Sequence, residues 1–243
     1  MLMLQDCFLS HTYDRLPANP DLLGRIPDDI PQGAGSSYAK SVLKLTKLTV
    51  ERTRDEAMRP DETISIDSML THRRGYQAIL EEAQPFLVDK GKCRTLQEHL
   101  ERAALNIHVG YVDCRTYRFC LERDNTTVDQ ALRDSLAAEY LASATNVVQS
   151  FLDMHRLLPS VSRMWSFVHN VASSAIPLKT LKSVSRAVLE GLVGQFEPLV
   201  QRLIWVLDDE AKKCEWYDAD TNVRQYGPCS RVARALRETY GNI

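Results

Sequence analysis

The sequence has no apolar run near the ~18 residues that a helix needs to cross a bilayer. Its opening residues, MLMLQDCFLSHTYDR, lack the basic segment that precedes the apolar core of a secretion signal. A charge excess is missing too: 30 Lys and Arg residues face 32 Asp and Glu residues, which disfavours a general nucleic-acid surface. We therefore expect a cytoplasmic protein that binds no membrane and, by itself, no nucleic acid.

The chain also lacks the residue patterns of metal sites and of common nucleophilic enzymes. Its six cysteines, at 7, 93, 114, 120, 214 and 229, form no CxxC pair, which favours free structural thiols. It has no His-x-x-x-His pair, no clustered Cys and His, no Gly-x-Ser-x-Gly turn and no nucleotide fingerprint. The GAGSS run at 33–37 follows no predicted strand and lacks the lysine of a phosphate loop. We expect no metal and no cofactor, so any enzymatic activity would be cofactor-free.

Helical periodicity, in contrast, is present over most of the chain. Alternating β-branched runs are nearly absent, and apolar residues recur at helical spacing. The pattern predicts an all-α fold of about eight helices, as one domain over 1–243 with an internal apolar pocket. Composition predicts a long Pro/Gly loop at 17–37 and a polar loop at 218–228. The predicted helices cover 1–12, 38–58, 65–88 with a break or kink at Pro85, 100–123, 125–158, 161–176, 179–195, a restart after Pro198, and 230–240.

The stretch from Leu100 to Arg123 is the helix around which we expect the core to form. It has no proline and one glycine, and its apolar residues share one side at 100, 103, 107, 111, 114 and 121. His108, Arg115 and Arg118 lie on or near the edge of this apolar stripe. Because polar groups at a buried margin can line a pocket, this helix supplies half of a candidate site.

Trp165 and His169, four residues apart on a second predicted helix, supply the other half. They would converge with His108, Tyr111 and Arg115 if the two helices pack together. An aromatic wall with two imidazoles suits an apolar ligand that carries one or two polar groups. The catalytic candidates are His108, Arg115 and His169. The substrate-binding candidates are Tyr111, Trp165 and Arg118.

A structural interpretation of the same residues stays open beside the functional one. A histidine on an apolar helix face is often a core residue with its ring nitrogens bonded to neighbouring groups. Trp165 can equally be a packing residue, and charged residues such as Arg115 and Arg118 are mostly solvated or ion-paired.

Three segments of the chain carry a resemblance to a known family. One is MLMLQDCFLSHTYDRLPANPDLL followed by IPDDIP, an apolar helix leading through turns to an Ile-Pro loop. The second is LNIHVGY at 105–111, and the third is RMWSFVHNVASSAIPL, a small-residue helix after a proline. Together they resemble the middle homology region, the regulatory domain of fungal zinc-cluster transcription factors. The small-residue stretch 137–151 also lies where that family has a helix of this kind.

The chain departs from that family in three respects. The family's Arg-Pro after the Leu-His helix is missing, since residues 119–123 read FCLER. The six cysteines are not packed within the short segment that a zinc cluster requires, and the sequence starts inside the family's domain. The resemblance implies an all-helical domain whose apolar cavity serves effector sensing and self-association. Without the cluster, we expect no DNA reading by this chain alone.

Two functions follow as hypotheses. The first is a stand-alone small-molecule-binding protein of fungal specialised metabolism, a cofactor-free cyclase or pericyclase of Diels–Alder type acting on an apolar substrate. Such a reaction needs only confinement and one or two polarising donors. The alternative is a non-enzymatic effector-binding or dimerisation module of a truncated transcription regulator, which would place it in the nucleus. A homodimer is compatible with both.

Overall fold

The computed structural model describes residues 35–58, 66–122, 129–181, 184–214, 216–218, 223–225 and 227–241. The helix predicted at 1–12 and nearly all of the loop at 17–37 lie outside these residues. The described part contains eight α-helices and one short hairpin, which confirms the all-α class. The elements are α1 (Tyr38–Met58), α2 (Ile66–Glu81), α3 (Pro85–Val88), α4 (Leu96–Glu122), α5 (Gln130–Leu157), α6 (Trp165–Ala175), α7 (Arg186–Cys214), β1 (Trp216–Asp218), β2 (Val223–Gln225) and α8 (Pro228–Tyr240). No described helix is long and apolar enough to cross a membrane.

The chain divides into two compact units, residues 1–105 and 106–243, with the boundary inside α4. The prediction of one domain over 1–243 stays a prediction. In the first unit α1 packs against α2. Gly75 of α2 allows this packing, since a Cβ there would lie 2.6 Å from Leu48 Cδ2. Ser37 caps α1, because its Oγ accepts from the Lys40 amide at 3.4 Å.

Pro85 breaks the helix predicted at 65–88. Helix α2 ends at Glu81 and the one-turn α3 begins at Pro85 itself. Between them the Gln84 amide donates to the Ser36 carbonyl at 3.0 Å, and the Ser36 amide donates to the Glu82 carbonyl at 2.7 Å. The break occurs because proline disfavours helical backbone in the residue before it, while its own fixed φ suits a first helical position.

Helix α4 starts four residues earlier than the apolar pattern predicts. Thr95 and Glu98 form a capping box: the Glu98 amide donates to Thr95 Oγ1 at 3.2 Å, and the Thr95 amide to Glu98 Oε2 at 3.0 Å. The box satisfies two of the amides that a helix start leaves without partners. It therefore extends the helix across residues 96–99, three of which are polar and which the apolar count alone does not include.

In the second unit the long helix α5 packs against α6 and α7, and α7 packs against α8. Asp129 begins α5, since its Oδ1 accepts from the Leu132 amide at 2.7 Å. Two tyrosines bond the last carbonyls of α6: Tyr140 Oη donates to Ser174 O at 2.7 Å, and Tyr240 Oη to Ala175 O at 2.6 Å. Helix α6 is thereby fixed between α5 and α8 at its C-terminal end.

Several boundaries in the second unit differ from the predictions: α5 begins at Gln130 rather than 125, and α7 begins at Arg186 rather than 179. Residues 159–163 form a 3-10 turn, so α6 begins at Trp165 rather than Val161, and the segment after Ala175 is a second 3-10 turn. Helix α7 runs through Pro198 without stopping. Both Pro198 and Gly194, whose carbonyl loses its helical partner, are exposed, so solvent can replace the missing bond.

The segment predicted as a polar loop, 218–228, also differs from the prediction. Part of this segment pairs as an antiparallel hairpin, with Trp216 opposite Gln225 and Asp218 opposite Val223. Helix α8 then begins at Pro228, two residues before the predicted start, because proline suits the first helical position. Strands of three residues are too short to produce a readable alternating pattern, so the hairpin could not be predicted from the sequence.

Candidate functional site

Helices α4 and α6 bring the predicted site residues together within the second unit. Helix α4 supplies His108, Tyr111, Arg115 and Arg118 at intervals of three or four residues, and α6 supplies Trp165 and His169. The rings meet as the spacing predicted: Tyr111 and His169 lie 6.0 Å apart, and Trp165 and His169 lie 5.5 Å apart. Burial then divides these residues into two clusters with different chemistry.

The inner cluster consists of His108, Phe167 and Asn170. His108 is only 6% exposed, and its ring lies 5.4 Å from the Phe167 ring. Its Nδ1 lies 3.3 Å from Asn170 Nδ2. An amide nitrogen can only donate, so Nδ1 accepts and the imidazole carries its proton on Nε2.

Burial also fixes the charge of the inner histidine. Loss of solvent lowers the pKa of His108 to about 4, so the ring is neutral at physiological pH. It therefore has no proton to give as an imidazolium acid, and one nitrogen is already bonded to Asn170. These contacts suit a residue that positions α4 against α6. Its catalytic role stays a prediction that the geometry does not favour.

The outer cluster consists of Tyr111, Arg115, Trp165 and His169, with Arg118 beside it. Trp165 is 44% exposed, and His169 is partly buried between Trp165 and Tyr111. His169 Nε2 lies 3.1 Å from Ser173 Oγ, one helical turn further along α6. Trp165 and part of His169 are thus open to solvent, whereas Tyr111 is only 3% exposed and forms the buried side of the cluster.

Charges in the outer cluster act on one another. Burial, and then the positive charge of Arg115, lower the pKa of His169, so this imidazole is also neutral at pH 7. Burial and the neighbouring charge of Arg118 lower the pKa of Arg115 to about 10, which still leaves the guanidinium protonated. The outer cluster therefore presents one neutral imidazole beside a partly desolvated cation, with the exposed Arg118 adding positive charge.

A buried ion cluster fixes the turn from which Trp165 projects. The carboxylate of Glu210 on α7 has no exposed surface, and it accepts from Arg163 Nε at 3.0 Å and from Lys213 Nζ at 2.9 Å. Burial favours the neutral acid, but the bonds from Lys213 and Arg163 outweigh it and lower the pKa of Glu210. Arg163 ends the 3-10 turn directly before α6, so this cluster holds the start of α6 against α7.

Several residues that shape the site were absent from the sequence predictions. Asn170 is one, and a polar residue inside the apolar run of α6 was a signal that a partner such as His108 had to exist. Gly110 is another: a Cβ there would lie 2.5 Å from Val147 Cγ2 and 3.4 Å from the Ser143 carbonyl. The single glycine of α4 thus marks its close approach to α5. Asp113 adds a bond on the same side, accepting from Ser143 Oγ at 2.6 Å.

Neither a metal site nor a known relative identifies the chemistry of the outer cluster. In the described residues, no group of three or more His, Cys, Asp or Glu side chains is arranged to hold a metal ion. The described cysteines 93, 114 and 229 carry free thiols. Comparison of the chain with protein-family models, with curated proteins and with solved structures gave no match.

Proposed function

We propose that this chain binds an apolar small molecule carrying a carbonyl or anionic group at the outer cluster, and promotes its cyclisation without a cofactor. The observation that carries the proposal is the partly desolvated Arg115 beside the neutral His169, next to an exposed Trp165. An arginine that is exposed on a protein surface is usually fully hydrated, which weakens its electrostatic attraction for a ligand. The resemblance to an effector-binding regulatory domain of fungi supports the same substrate class and a role in specialised metabolism.

Each residue of the outer cluster would have a separate role in the reaction. The guanidinium of Arg115 would polarise a carbonyl of the substrate, and this lowers the barrier of an intramolecular addition when charge develops on that oxygen. Trp165 and Tyr111 would hold the apolar body in a folded conformation, which removes part of the entropic barrier. His169 would accept or donate one hydrogen bond as a neutral ring, and Arg118 would attract an anionic group. His108 would act as a positioning residue behind them.

The test uses a fungal metabolite extract incubated with the purified protein and separated by chromatography with mass detection. A new isomeric product that boiled protein does not form would support a cyclase. Arg115→Gln and Trp165→Ala should reduce its rate, while Arg231→Gln, an exposed change on α8, should leave the rate within about twofold. A product that forms equally well with Arg115→Gln would contradict the assignment of the site.

A second candidate function is the non-enzymatic effector-binding or dimerisation module. Apolar side chains exposed around the start of α6 favour it, namely Leu157, Leu158 and Met164 together with Trp165. Depletion of one compound from the extract without a new product would indicate effector binding. Sedimentation that shows a dimer lost in Met164→Glu, with no compound depleted, would indicate association instead.

A further inference from the structure

A second concave surface lies in the same unit and shares no residue with the outer cluster. It is a groove of about 600 Å³ between the last turns of α5 and the middle of α7, and Pro159 also lines it. Helix α5 contributes Leu152, His155 and Arg156, spaced by three or four residues along one face. Helix α7 contributes the pairs 201 and 205, and 202 and 206, which likewise stack one turn apart.

One wall of the groove is apolar and unusually open. Trp205 is 70% exposed although it lines a concave surface, and Leu152, Val206 and Pro159 surround it. An indole in such a position offers a broad flat surface to an apolar body, and its burial would be favourable. A size of several hundred cubic ångströms is that of sites for small organic molecules.

The polar lining of the groove contains hydrogen-bond donors and no carboxylate. The guanidinium groups of Arg156 and Arg202 have no ion pair or hydrogen bond within the described part of the chain. Gln201 Nε2 is buried and has no acceptor among the described groups. The acids nearest along α7 are engaged elsewhere, because Asp209 bonds Lys213, and Glu210 bonds Lys213 and Arg163. The groove therefore offers two positive charges without a matching carboxylate.

We propose that this groove binds an apolar molecule carrying a carboxylate. The carboxylate would lie between Arg156 and Arg202, and the apolar body would pack on Trp205, Val206 and Leu152. A carboxylate matches the guanidinium groups in both charge and geometry, since each can donate two parallel bonds to its two oxygens. A neutral ligand would make no use of the two positive charges. The site is independent of the outer cluster, so it can exist whether or not that cluster performs a reaction.

The test is calorimetric titration of the full chain with linear carboxylic acids of about six to twelve carbons, each paired with the alcohol of the same length. The acids should bind with Kd below about 1 mM, and each alcohol should bind at least about tenfold more weakly. Binding should weaken as salt is raised, because the ion pairs are partly exposed. Emission of Trp205 should shift to the blue as its ring leaves water.

Variants locate the site and separate it from the proposed catalytic surface. Arg202→Gln and Trp205→Ala should each weaken acid binding at least about fivefold, and Arg156→Gln combined with Arg202→Gln should remove the preference for acids over alcohols. Arg231→Gln, an exposed change outside the groove, should leave binding within about twofold, and Trp165→Ala should leave the weakening caused by Arg202→Gln unchanged. Equal binding of acids and alcohols, no acid binding below about 1 mM, or unchanged binding in the double variant would overturn the proposal.

Discussion

The inner and outer clusters each contain one histidine, His108 on α4 and His169 on α6. The two helices face each other, but the two imidazoles differ in burial. His108 is buried, and Asn170 donates to it; His169 is partly open to solvent and lies between two aromatic rings beside Arg115. Helical spacing places both near one interface, but the depth of each depends on which neighbours cover it. The comparison shows that a buried polar pair can hold two helices in register while the adjacent turn remains available for a ligand.

The largest expected difference between the two clusters is in their response to acid. The folded pKa of His108 is about 4, below the unfolded value near 6.5, so protons bind the unfolded chain preferentially between these pH values. The stability attributable to this group is therefore full above pH 6.5 and falls as the pH decreases towards 4. The loss amounts to about 3 kcal/mol for a shift of this size. Urea unfolding of wild type and His108→Gln from pH 7 to 4 should show a shallower decline in the variant.

His169→Gln is the matched control for that experiment. The pKa of His169 is lowered too, by burial and by Arg115, but the ring is partly solvated and its contribution is correspondingly smaller. Its acid dependence should stay close to that of wild type. Equal slopes for wild type and His108→Gln would show that the inner histidine is protonated without penalty, and would remove the distinction between the clusters.

Removal of the group bonded to each histidine should separate the clusters by stability at pH 7. Asn170→Ala leaves the buried His108 Nδ1 without its donor, so we expect a loss of about 2 kcal/mol in the free energy of unfolding. Ser173→Ala removes the hydroxyl beside the partly exposed His169, where water can replace it, so we expect a loss below about 0.5 kcal/mol. Thermal and chemical unfolding of both variants measure the contrast. A larger loss in Ser173→Ala would reverse the assignment of inner and outer layers.

Two helical glycines test whether the placement of α4 depends on its close approach to α5. Gly110→Ala would bring a methyl group to 2.5 Å from Val147 Cγ2, and a stiff β-branched side chain can yield only by moving its backbone or rotamer. We expect a loss of about 1.5 kcal/mol. Gly191→Ala on α7 meets no atom within 4 Å, so a gain of about 0.5–1 kcal/mol should follow from helix propensity. If both substitutions raise the free energy of unfolding, α4 does not approach α5 as closely as the structure shows.

Local features of the fold were readable from the sequence wherever one residue type decides the backbone. Tyr38–Met58 was predicted to the residue, and Pro85 breaks the helix predicted at 65–88 as expected. Pro198 misled because an exposed proline in a long amphipathic helix is tolerated, and the sequence does not say which side faces solvent. The predicted start of α6 was wrong, because the turn before this helix depends on a bond from Arg163 to Glu210, 47 residues away.

The candidate site was predictable to a similar extent. Trp165 and His169 lie together as their i, i+4 spacing predicts, and Tyr111 reaches His169 because α4 packs against α6, which the sequence could state only as a condition. Spacing did not distinguish His108 from His169, because burial depends on the neighbouring helices and on Asn170. The groove at Trp205 had no sequence signal: its two arginines lie more than 40 residues apart in the chain, and a surface tryptophan reads like a core one.

The smallest effect expected is electrostatic and confined to the outer cluster. The positive charge of Arg115 lowers the pKa of His169, so Arg115→Gln should raise that pKa, while burial keeps it below the value of a free histidine. Titration of the ring proton resonances by NMR measures the change directly, and the stability at pH 7 should stay within about 0.5 kcal/mol. Arg118→Gln is the control, because Arg118 acts on Arg115 and is exposed, so the pKa of His169 should move less. An unchanged His169 pKa in Arg115→Gln would mean that the guanidinium lies too far from the imidazole to act on the same ligand. The roles proposed for Arg115 and His169 would then be wrong, while the assignment of His108 and Asn170 to a buried structural pair would stand.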